Sequence, residues 1–427
     1  MVSSLLKEKI LNGEYTSVFT ELYGSDNVES QQKRYIEALE NFEKLYGENK
    51  EVSVYSAPGR TEICGNHTDH NCGLIVAASI CEDTICVAAK NDEKLVKIAS
   101  QGYPQIDPVN LEKLRATVAD EGTTRGLVKG ICAGIIKWGG VCAGLDLFIT
   151  SDVLKGSGLS SSASFENAVS VAVNEEYNNG KFTAVELARI GQYAENEYFA
   201  KPCGVMDQTV SAVGGTICLD LEDLSLPKVE KLPLDLEKFS LTLCTVDCGA
   251  SHDNLTDEYA SLPKDMKDIA QIFFKDSLRR LDMQTYINHI SYLRDVVGDR
   301  AVLRGMHFFT ECKRVEDLCK AVEADDKQMF LKKITESGHS SYEYLQNAYV
   351  ASNTKNQSMA LALSVAQSYL QDIGGAWRLQ GGGFAGSIQC FVPTEKLDDF
   401  VKYMETVFGQ DCCRTIKLRS KGAVKVI

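Results

Sequence analysis

Apolar and polar positions recur with a helical period at the start of the chain. Tyr35, Ala38, Leu39, Phe42 and Leu45 follow the i, i+3, i+4 and i+7 spacing of one helical face. The residues around them are rich in charge, as is typical of a helix with one buried side. The pattern therefore predicts an amphipathic helix before residue 50.

After residue 50 the pattern changes to short β-branched runs. Residues 52–58 and 75–89 predict strands of a mixed or antiparallel sheet. A glycine-rich turn at 155–158 leads into a predicted helix over 160–178. A second helix is predicted over about 185–198.

The pattern is interrupted once more, near the middle of the chain. Acidic residues, a serine and two prolines interrupt the pattern within positions 219–233. A strand-like run begins again at 241–246. The second half reads mostly as long helices, and it ends in a glycine-rich turn at 381–386 beside a strand-like segment. We expect an α+β fold of two domains, residues 1–225 and 226–427.

Composition and charge narrow the class of protein. The 427 residues carry 45 Lys and Arg against 59 Asp and Glu, a formal net charge of −14. This balance argues against nucleic acid and against an anionic membrane as partners. The first residues resemble no signal peptide, and no apolar run reaches the roughly 18 to 20 residues of a membrane helix. We expect a cytoplasmic protein and a monomer.

Fifteen cysteines are scattered along the chain, and most of them lie in apolar runs. No Cys-x-x-Cys pair occurs, and the six histidines do not fall at metal-ligand spacings with the cysteines. We therefore expect reduced, buried thiols that pack as small hydrophobic side chains.

The segment 156–164 combines two glycines with three consecutive serines at the start of a predicted apolar helix. Backbone N–H groups at a helix start bind anions, and a serine hydroxyl can ligate magnesium. An ordinary N-cap after a turn is the simpler alternative. The candidate phosphate-binding residues are Gly156, Ser157, Gly158, Leu159, Ser160, Ser161 and Ser162.

Two further segments carry candidate chemistry. Residues 58–71 gather charged and amide side chains on a predicted glycine-bounded loop, which suits a polyhydroxylated ligand or, alternatively, a solvated turn. Asp207 stands in an apolar, tightly turned setting, where burial would raise its pKa and a nearby arginine would lower it. Glu195 could serve a metal, although either carboxylate could also be structural.

Together these segments resemble the GHMP family of small-molecule kinases over nearly the whole chain. Residues 57–71 are similar to the family's sugar-binding signature, which usually reads Pro-Gly-Arg-Val-Asn-Leu-Ile-Gly-Glu-His-Thr-Asp-Tyr-Asn. The segment 156–164 resembles the family's phosphate loop. Residues 195–208 resemble the segment that ends Pro-Cys-Gly-Ile-Met-Asp-Gln, and residues 381–386 resemble the third motif.

The resemblance implies a two-domain fold with its active site in the cleft, and transfer of the γ-phosphoryl group of ATP to the anomeric hydroxyl of a sugar, D-galactose first. It implies Asp207 as the catalytic carboxylate and Arg60 as the arginine beside the attacking hydroxyl. Ser162 and Glu195 would hold Mg²⁺. The implied sugar contacts are Asn66, His67, Asp69, Gly204 and Tyr259.

Two departures from the family signature concern the substrate. Asn66 stands where the family's galactose-specific members carry a glutamate for the C6 hydroxyl, and His70 stands where they carry a tyrosine. Without that glutamate, repulsion of a C6 carboxylate is removed at position 66. A kinase for galacturonic acid, N-acetylgalactosamine or another related sugar is therefore an alternative, as is a non-catalytic sensor of sugar and ATP.

Overall fold

The fold is described by a computed structural model of residues 1–154, 158–250 and 255–427. Helices and strands are mixed along the chain, as expected for an α+β protein. The α-helices in these ranges are α1 Ser3–Leu11, α2 Thr16–Tyr23, α3 Val28–Tyr46, α4 Thr124–Lys137, α5 Ser161–Asn178, α6 Ala184–Glu197, α7 Met206–Val213, α8 Thr256–Ile272, α9 Met283–Asn288, α10 Ile290–Val297, α11 Asp299–Glu323, α12 Lys327–Ser340, α13 Ser358–Leu370 and α14 Leu397–Phe408.

The strands form two separate sheets. The strands in the described ranges are β1 Ser53–Cys64, β2 Leu74–Lys90, β3 Leu95–Ser100, β4 Val109–Asn110, β5 Leu145–Ser151, β6 Thr216–Asp220, β7 Lys228–Leu232, β8 Leu241–Ala250, β9 Ala376–Leu379, β10 Gly386–Pro393, β11 Cys413–Ile416 and β12 Val424–Lys425.

The first sheet is mixed and has helices on both faces. Its strand order is β12-β1-β2-β5-β3-β4, with β6 and β7 added beside β2, and only the β3–β5 pair is parallel among the described strands. Along β1, Val54 packs with α1–α3 on one face, whereas Tyr55 and Ala57 pack with α4–α6 on the other. Both faces are buried, which explains the nearly continuous apolar runs of its strands.

Helix α3 confirms the helical stripe at the start of the chain. Tyr35, Ala38, Leu39 and Phe42 are buried against the first sheet. Leu45, the fifth position of the stripe, is exposed because the helix ends at Tyr46. The predicted helices over 160–178 and 185–198 are likewise confirmed as α5 and α6.

The second sheet has the order β11-β8-β10-β9 and belongs to the C-terminal half. One face packs on α13 and α14, and the other face contributes to a larger core with α8, α11 and α12. The expected division between residues 225 and 226 falls just before β7, which pairs with β6 of the first sheet. The change of sheet therefore comes after Leu232, and β12 returns to pair with β1.

Strand β1 continues further than the sequence pattern predicts. Residues 58–64 were expected to lie on a loop, but they remain paired with β2 up to Cys64. Two register shifts, between Pro58 and Arg60 and between Glu62 and Cys64, bulge the strand at this end. Bulges re-aim side chains. Because of them, a sequence with turn-like Pro and Gly residues continues as a strand whose polar side chains reach a cavity.

No helix in the described parts of the chain is long and apolar enough to cross a membrane. All fifteen cysteines are free, and none of them is exposed. Eight of them are buried and seven are partly buried, so the expectation of buried thiols holds for about half of the cysteines.

Candidate functional site

Arg60 and Asp207 form a two-pronged ion pair between β1 and α7. Arg60 Nε lies 2.7 Å from Asp207 Oδ1, and Nη2 lies 2.9 Å from Oδ2. The third guanidinium nitrogen, Nη1, donates to the carbonyl oxygen of Gly158 in the phosphate-loop segment. A fork of this kind fixes both partners in orientation as well as in charge. The two residues that the sequence singled out as catalytic thus lie together.

The surroundings of Asp207 keep its carboxyl group ionised. Burial alone would raise its pKa, but the Arg60 guanidinium and a hydrogen bond from the Ser160 hydroxyl outweigh burial and hold the pKa below its usual range. The carboxylate also stands in the first turn of α7, where the helix dipole favours negative charge. About a third of the Asp207 side chain remains exposed, so the group can still reach a ligand.

The phosphate-loop segment closes over the end of β1. The amide of Arg60 donates to the carbonyl oxygen of Leu159 at 3.0 Å. A side chain on Gly59 would meet that same oxygen at 2.8 Å, so this approach requires glycine. Ser160 has the left-handed φ of 61°, and α5 begins at the next residue. Gly156 and Ser157 lie outside the described residues.

Ser162 and Glu195 come together at the start of α5 and the end of α6. Ser162 Oγ lies 3.4 Å from Glu195 Oε1, which also accepts a hydrogen bond from Lys201 Nζ at 2.9 Å. Gln208 Nε2 donates to Glu195 Oε2 at 2.9 Å and to Glu166 Oε2 at 3.0 Å. Burial and the neighbouring Glu195 raise the pKa of Glu166 well above its ordinary value.

The residues after β1 line the other end of the site. Asp69 approaches Gly204 so closely that a side chain at Gly204 would meet Asp69 Oδ2 at 2.6 Å. His67 Nε2 lies 2.9 Å from the carbonyl oxygen of Gly382. A carbonyl can only accept, so Nε2 carries the proton and Nδ1 of the neutral ring is an acceptor. Burial and His70 lower the pKa of His67 to about 4, which keeps the ring neutral near pH 7.

The glycine turn after β9 is held by His67, as described above, and by Asn66 and Tyr259, all of which the sequence linked to sugar binding. Asn66 Nδ2 donates to the carbonyl oxygen of Gly381 at 2.8 Å. The Tyr259 hydroxyl donates to the carbonyl oxygen of Gly383 at 2.7 Å, and the Tyr259 ring packs edge-on to Phe384. Tyr259 is also absent from the described lining of the cavity below. Asn66 and Tyr259 thus join this turn to the site.

A cavity of about 270 Å³ opens between these elements and has the size of a small polar ligand. Its lining brings together seven of the predicted site residues: Arg60, Asn66, His67, Asp69, Glu195, Gly204 and Asp207. Such a concave surface with several directed polar groups is typical of a binding site for a hydroxylated small molecule.

A second cavity, of about 400 Å³, lies on the other side of the α5 start. It is lined by Ser161 and Ser162 and by apolar side chains that include Ile106, Phe165 and Phe199. The helix start therefore separates a polar cavity from a more apolar one. This is an arrangement in which phosphates could lie at the helix start with an aromatic base beyond it.

Several lining residues belong to segments that the sequence singled out but were not assigned a role of their own. Glu62, Lys201 and Gln208 reach the polar cavity, as do Gly381 and Gly382. The segments 58–71, 195–208 and 381–386 indicated these residues as a group. Which of their side chains reach the cavity depends on the folded chain.

The two cysteines expected near the sugar lie in different places. Cys203 lines the polar cavity. Cys64 is fully buried behind it, with its sulfur 3.5 Å from Glu311 Oε1. Only Cys203 can therefore report directly on ligand binding.

Helix α11 supports the cavity wall from behind. Glu311 Oε1 accepts a hydrogen bond from the amide of Gly65 at 3.0 Å. His307 Nε2 lies 2.8 Å from the carbonyl oxygen of Asn66. Burial alone would raise the pKa of Glu311. His307, Arg314 and Ser337 outweigh burial and lower that pKa to about 2. The ionised Glu311 on α11 thus fixes the backbone that carries the cavity residues.

Two family models match the segments that meet in the site. The model for the N-terminal domain of GHMP kinases matches residues 126–215, which contain the α5 start, Glu195 and Asp207. The galactokinase galactose-binding signature matches residues 40–90, which contain Arg60 and Asp69.

Curated relatives align over most of the chain. The galactokinase of Glaesserella parasuis is 30% identical over 362 residues, which cover 84% of this chain and 89% of that protein. The galactokinase of Streptomyces coelicolor is 29% identical over 87% of this chain and 92% of its own length.

Solved structures share the fold. The crystal structure of Lactococcus lactis galactokinase complexed with galactose superposes with a TM-score of 0.79 at 23% identity, covering 92% of this chain and all of that one. L. major mevalonate kinase in complex with R-mevalonate superposes with a TM-score of 0.58 at 16% identity, covering 87% of this chain and 98% of that one.

Proposed function

The chain belongs to the galactokinase group of the GHMP kinase family, and on this premise we propose that it transfers the γ-phosphoryl group of ATP to the anomeric hydroxyl of D-galactose. The observation that carries the proposal is the Arg60–Asp207 ion pair, which stands in a polar cavity beside a helix start. Phosphoryl transfer requires little covalent chemistry from the protein, so catalysis depends on positioning and on charge.

Asp207 is the proposed partner of the sugar hydroxyl. An ionised carboxylate can accept or orient the proton of the attacking hydroxyl, and Arg60 keeps Asp207 ionised. The same guanidinium stabilises negative charge that develops on the transferred group. The hydrogen bond from Ser160 to Asp207 links the carboxylate to the phosphate loop.

The phosphates of ATP are proposed to lie along the start of α5. Its free N–H groups and the hydroxyls of Ser161 and Ser162 suit an anion, and Gly158 to Ser160 bring the chain close to Arg60. The apolar cavity with Phe165 and Phe199 is proposed to hold the adenine ring.

Glu195 and Ser162 fit a magnesium ion by the nature of their donor atoms. Mg²⁺ prefers carboxylate and hydroxyl oxygens, and the carboxylate and hydroxyl here lie within 3.4 Å of each other. A second carboxyl group stands behind them on Glu166, whose Oε1 is buried without a hydrogen-bond partner among the described residues. When bound, the ion would neutralise phosphate charge.

Galactose itself is proposed to lie between Asp69 and Asp207. The polar cavity has room for one hexose, and Asp69 and the Nδ1 atom of His67 offer acceptors for sugar hydroxyls. We propose that the protein acts as a monomer in the cytoplasm.

Release of ADP from ATP in the presence of each candidate sugar tests this function. We expect turnover with galactose and less with galacturonate, N-acetylgalactosamine, glucuronate or arabinose. Asp207→Ala should abolish turnover, whereas ATP binding measured by calorimetry should change by less than about threefold, because the carboxylate lies at the sugar. Sugar binding without turnover of any sugar would overturn the enzyme assignment and favour a sensor.

A further inference from the structure

Glu62 is a buried carboxylate in the wall of the polar cavity. It is only 4% exposed, and it lies on β1 two residues after Arg60. Its Oε1 accepts hydrogen bonds from Arg378 Nη2 at 2.7 Å and from Asn66 Nδ2 at 3.1 Å. No hydrogen bond to its Oε2 is seen among the described residues, and Oε2 is not among the buried atoms that lack a partner. This second oxygen therefore remains available to a ligand.

The amide of Asn66, by contrast, is fully used within the protein. Its Nδ2 donates to Glu62 and to the carbonyl oxygen of Gly381 at 2.8 Å. Its Oδ1 accepts from Asn347 Nδ2 at 2.8 Å and from the Ser341 hydroxyl at 3.4 Å. An amide has two donor hydrogens and two acceptor lone pairs. All four are engaged here, so Asn66 acts as a positioning residue for the cavity wall.

The family signature carries the same two residue types in the opposite order. Where it reads Asn and then, four residues later, Glu, this chain has Glu62 and Asn66. The two side chains touch each other here. The carboxylate of this pair therefore stands at position 62, where the fully buried Arg378 also binds it.

The charges around the cavity determine which ligand groups can lie beside the Glu62 carboxylate. The described lining holds four carboxylates, those of Glu62, Asp69, Glu195 and Asp207, against two cations, Arg60 and Lys201. Both cations are engaged in ion pairs, with Asp207 and Glu195 respectively, and Arg378 behind the wall is engaged with Glu62 itself. The wall around Glu62 and Asp69 thus offers hydrogen-bond acceptors and no free cation among the described residues.

We propose that Glu62 is the residue that sets substrate specificity, by accepting a hydrogen bond from a hydroxyl of a neutral hexose and by excluding sugar acids from the cavity. The inference rests on the proposed function, since it names the class of sugar that the kinase accepts. A hydroxyl satisfies the free carboxylate oxygen, whereas the carboxylate of a uronic acid would meet like charge with no unpaired cation beside it among the described residues. The uronic acid alternative raised by Asn66 is thereby disfavoured.

The first test is made on the unmodified protein by calorimetry without ATP. We expect galacturonate to bind at least about 100-fold more weakly than galactose, because a buried like charge is costly. Among the 2-, 3-, 4- and 6-deoxygalactoses, one should lose at least about tenfold in affinity through the lost hydrogen bond to Glu62. Galacturonate that binds as tightly as galactose would overturn the proposal, whatever any variant does.

The second test uses Glu62→Gln, which keeps the shape of the side chain and removes its charge. We expect the galactose KM to rise at least about tenfold, the ATP KM and kcat to stay within about threefold, and the galacturonate penalty to shrink about tenfold. The deoxygalactose that is weak with the unmodified protein should no longer differ from galactose. Glu82→Gln, which changes the Glu82–Arg414 pair outside this cavity, is the matched control.

Two outcomes separate this inference from the function on which it rests. If the unmodified protein phosphorylates no sugar, the proposed function fails. If it phosphorylates galactose but folded Glu62→Gln keeps the same KM and the same discrimination, only the role of Glu62 fails. Should the variant lose its cooperative melting transition because Arg378 is left unpaired, the double variant Glu62→Gln/Arg378→Met provides the same comparison without the buried cation.

Discussion

The ion pair of Arg60 with Asp207 connects the two ends of the polar cavity. One prong of the guanidinium reaches the carbonyl oxygen of Gly158, and the other two hold the carboxylate. Asp207 therefore owes its ionised state and its orientation mainly to one neighbour, with a hydrogen bond from Ser160 beside it. Removing that neighbour should change the protonation of Asp207 as well as its position.

Arg60→Gln is expected to shift the acidic limb of the pH profile upward. The pKa of Asp207 is held below its usual range, so the carboxylate form persists above that low pKa and activity is lost only as the pH falls through it. Without the guanidinium, burial dominates and raises the pKa. We expect the acidic limb of kcat/KM for galactose to move up by at least about one pH unit. An unchanged limb would contradict this role of Arg60.

Gly204 meets Asp69 at a distance that leaves no room for a side chain. A Cβ atom there would lie 2.6 Å from Asp69 Oδ2. Gly204→Ala should therefore displace Asp69 and raise the galactose KM about tenfold with little change in the ATP KM. The control is Gly140→Ala, which lies away from the cavity. A Cβ atom there would meet the ring of Phe182 at the same distance of 2.6 Å. Equal galactose KM values in the two variants would exclude Asp69 as a sugar contact.

Among the elements, strand β1 and helix α11 build the cavity wall together. The bulged end of β1 presents Arg60 and Glu62, and Glu311 of α11 holds the amide of Gly65 just beyond the strand. Arg378 of β9 binds the side chain and the backbone of Glu62. The wall is therefore built from segments more than 240 residues apart in the sequence.

This separation explains what could be predicted from the sequence. The stripe of Tyr35 to Phe42 predicted α3 correctly, because a helical face depends on local spacing. The segments with Arg60, Ser162 and Asp207 could be identified by their resemblance to a family. The pairs of Glu62 with Arg378 and of Gly65 with Glu311 could not, since nothing local to either partner specifies the other. The end of β1 was missed because its strand pairing overrides turn-like residues.

Glu311→Gln should lower stability in a pH-dependent way. The pKa of the buried carboxyl is about 2 in the folded protein, so its contribution is present above the unfolded pKa of roughly 4.3 and is lost as the pH falls toward 2. The shift corresponds to about 3 kcal/mol. In urea melts, the difference in unfolding free energy between the two proteins should be large at pH 7 and shrink by pH 3.

The control for that experiment is Glu316→Gln on the same helix, where the carboxylate is about half exposed. It should change the unfolding free energy by less than about 1 kcal/mol. A difference between Glu311→Gln and the unmodified protein that stays constant from pH 7 to pH 3 would contradict the role of the ionised Glu311.

At the scale of the whole molecule, net charge and cysteine content do not by themselves decide what the protein binds. The net charge of −14 is compatible with the proposed binding of ATP, because a helix start offers N–H groups to an anion whatever the overall charge. The chain also closes on itself, since β12 pairs with β1, the strand that carries Arg60. Eight of the fifteen free thiols are buried, and the other seven are partly buried.

Thiol labelling therefore reports on the cavity at a single position. Burial and Glu195 raise the pKa of Cys203, so its reaction with iodoacetamide at pH 7.5 should be slow. Galactose should slow it by a further factor of about five, since Cys203 lines the cavity. Peptide mapping by mass spectrometry follows the site, and Cys203→Ser identifies its signal. Labelling of Cys203 at a rate indifferent to galactose would place the sugar elsewhere.

The identity of the reaction product tests the account most directly. Incubation of the protein with ATP, Mg²⁺ and galactose, followed by phosphorus and proton NMR, identifies the hydroxyl that carries the transferred group. The account predicts ADP and a sugar phosphate whose phosphorus couples to the anomeric proton, and Asp207→Ala should give none. A phosphate on another hydroxyl, or ADP with inorganic phosphate and unmodified galactose, would contradict it.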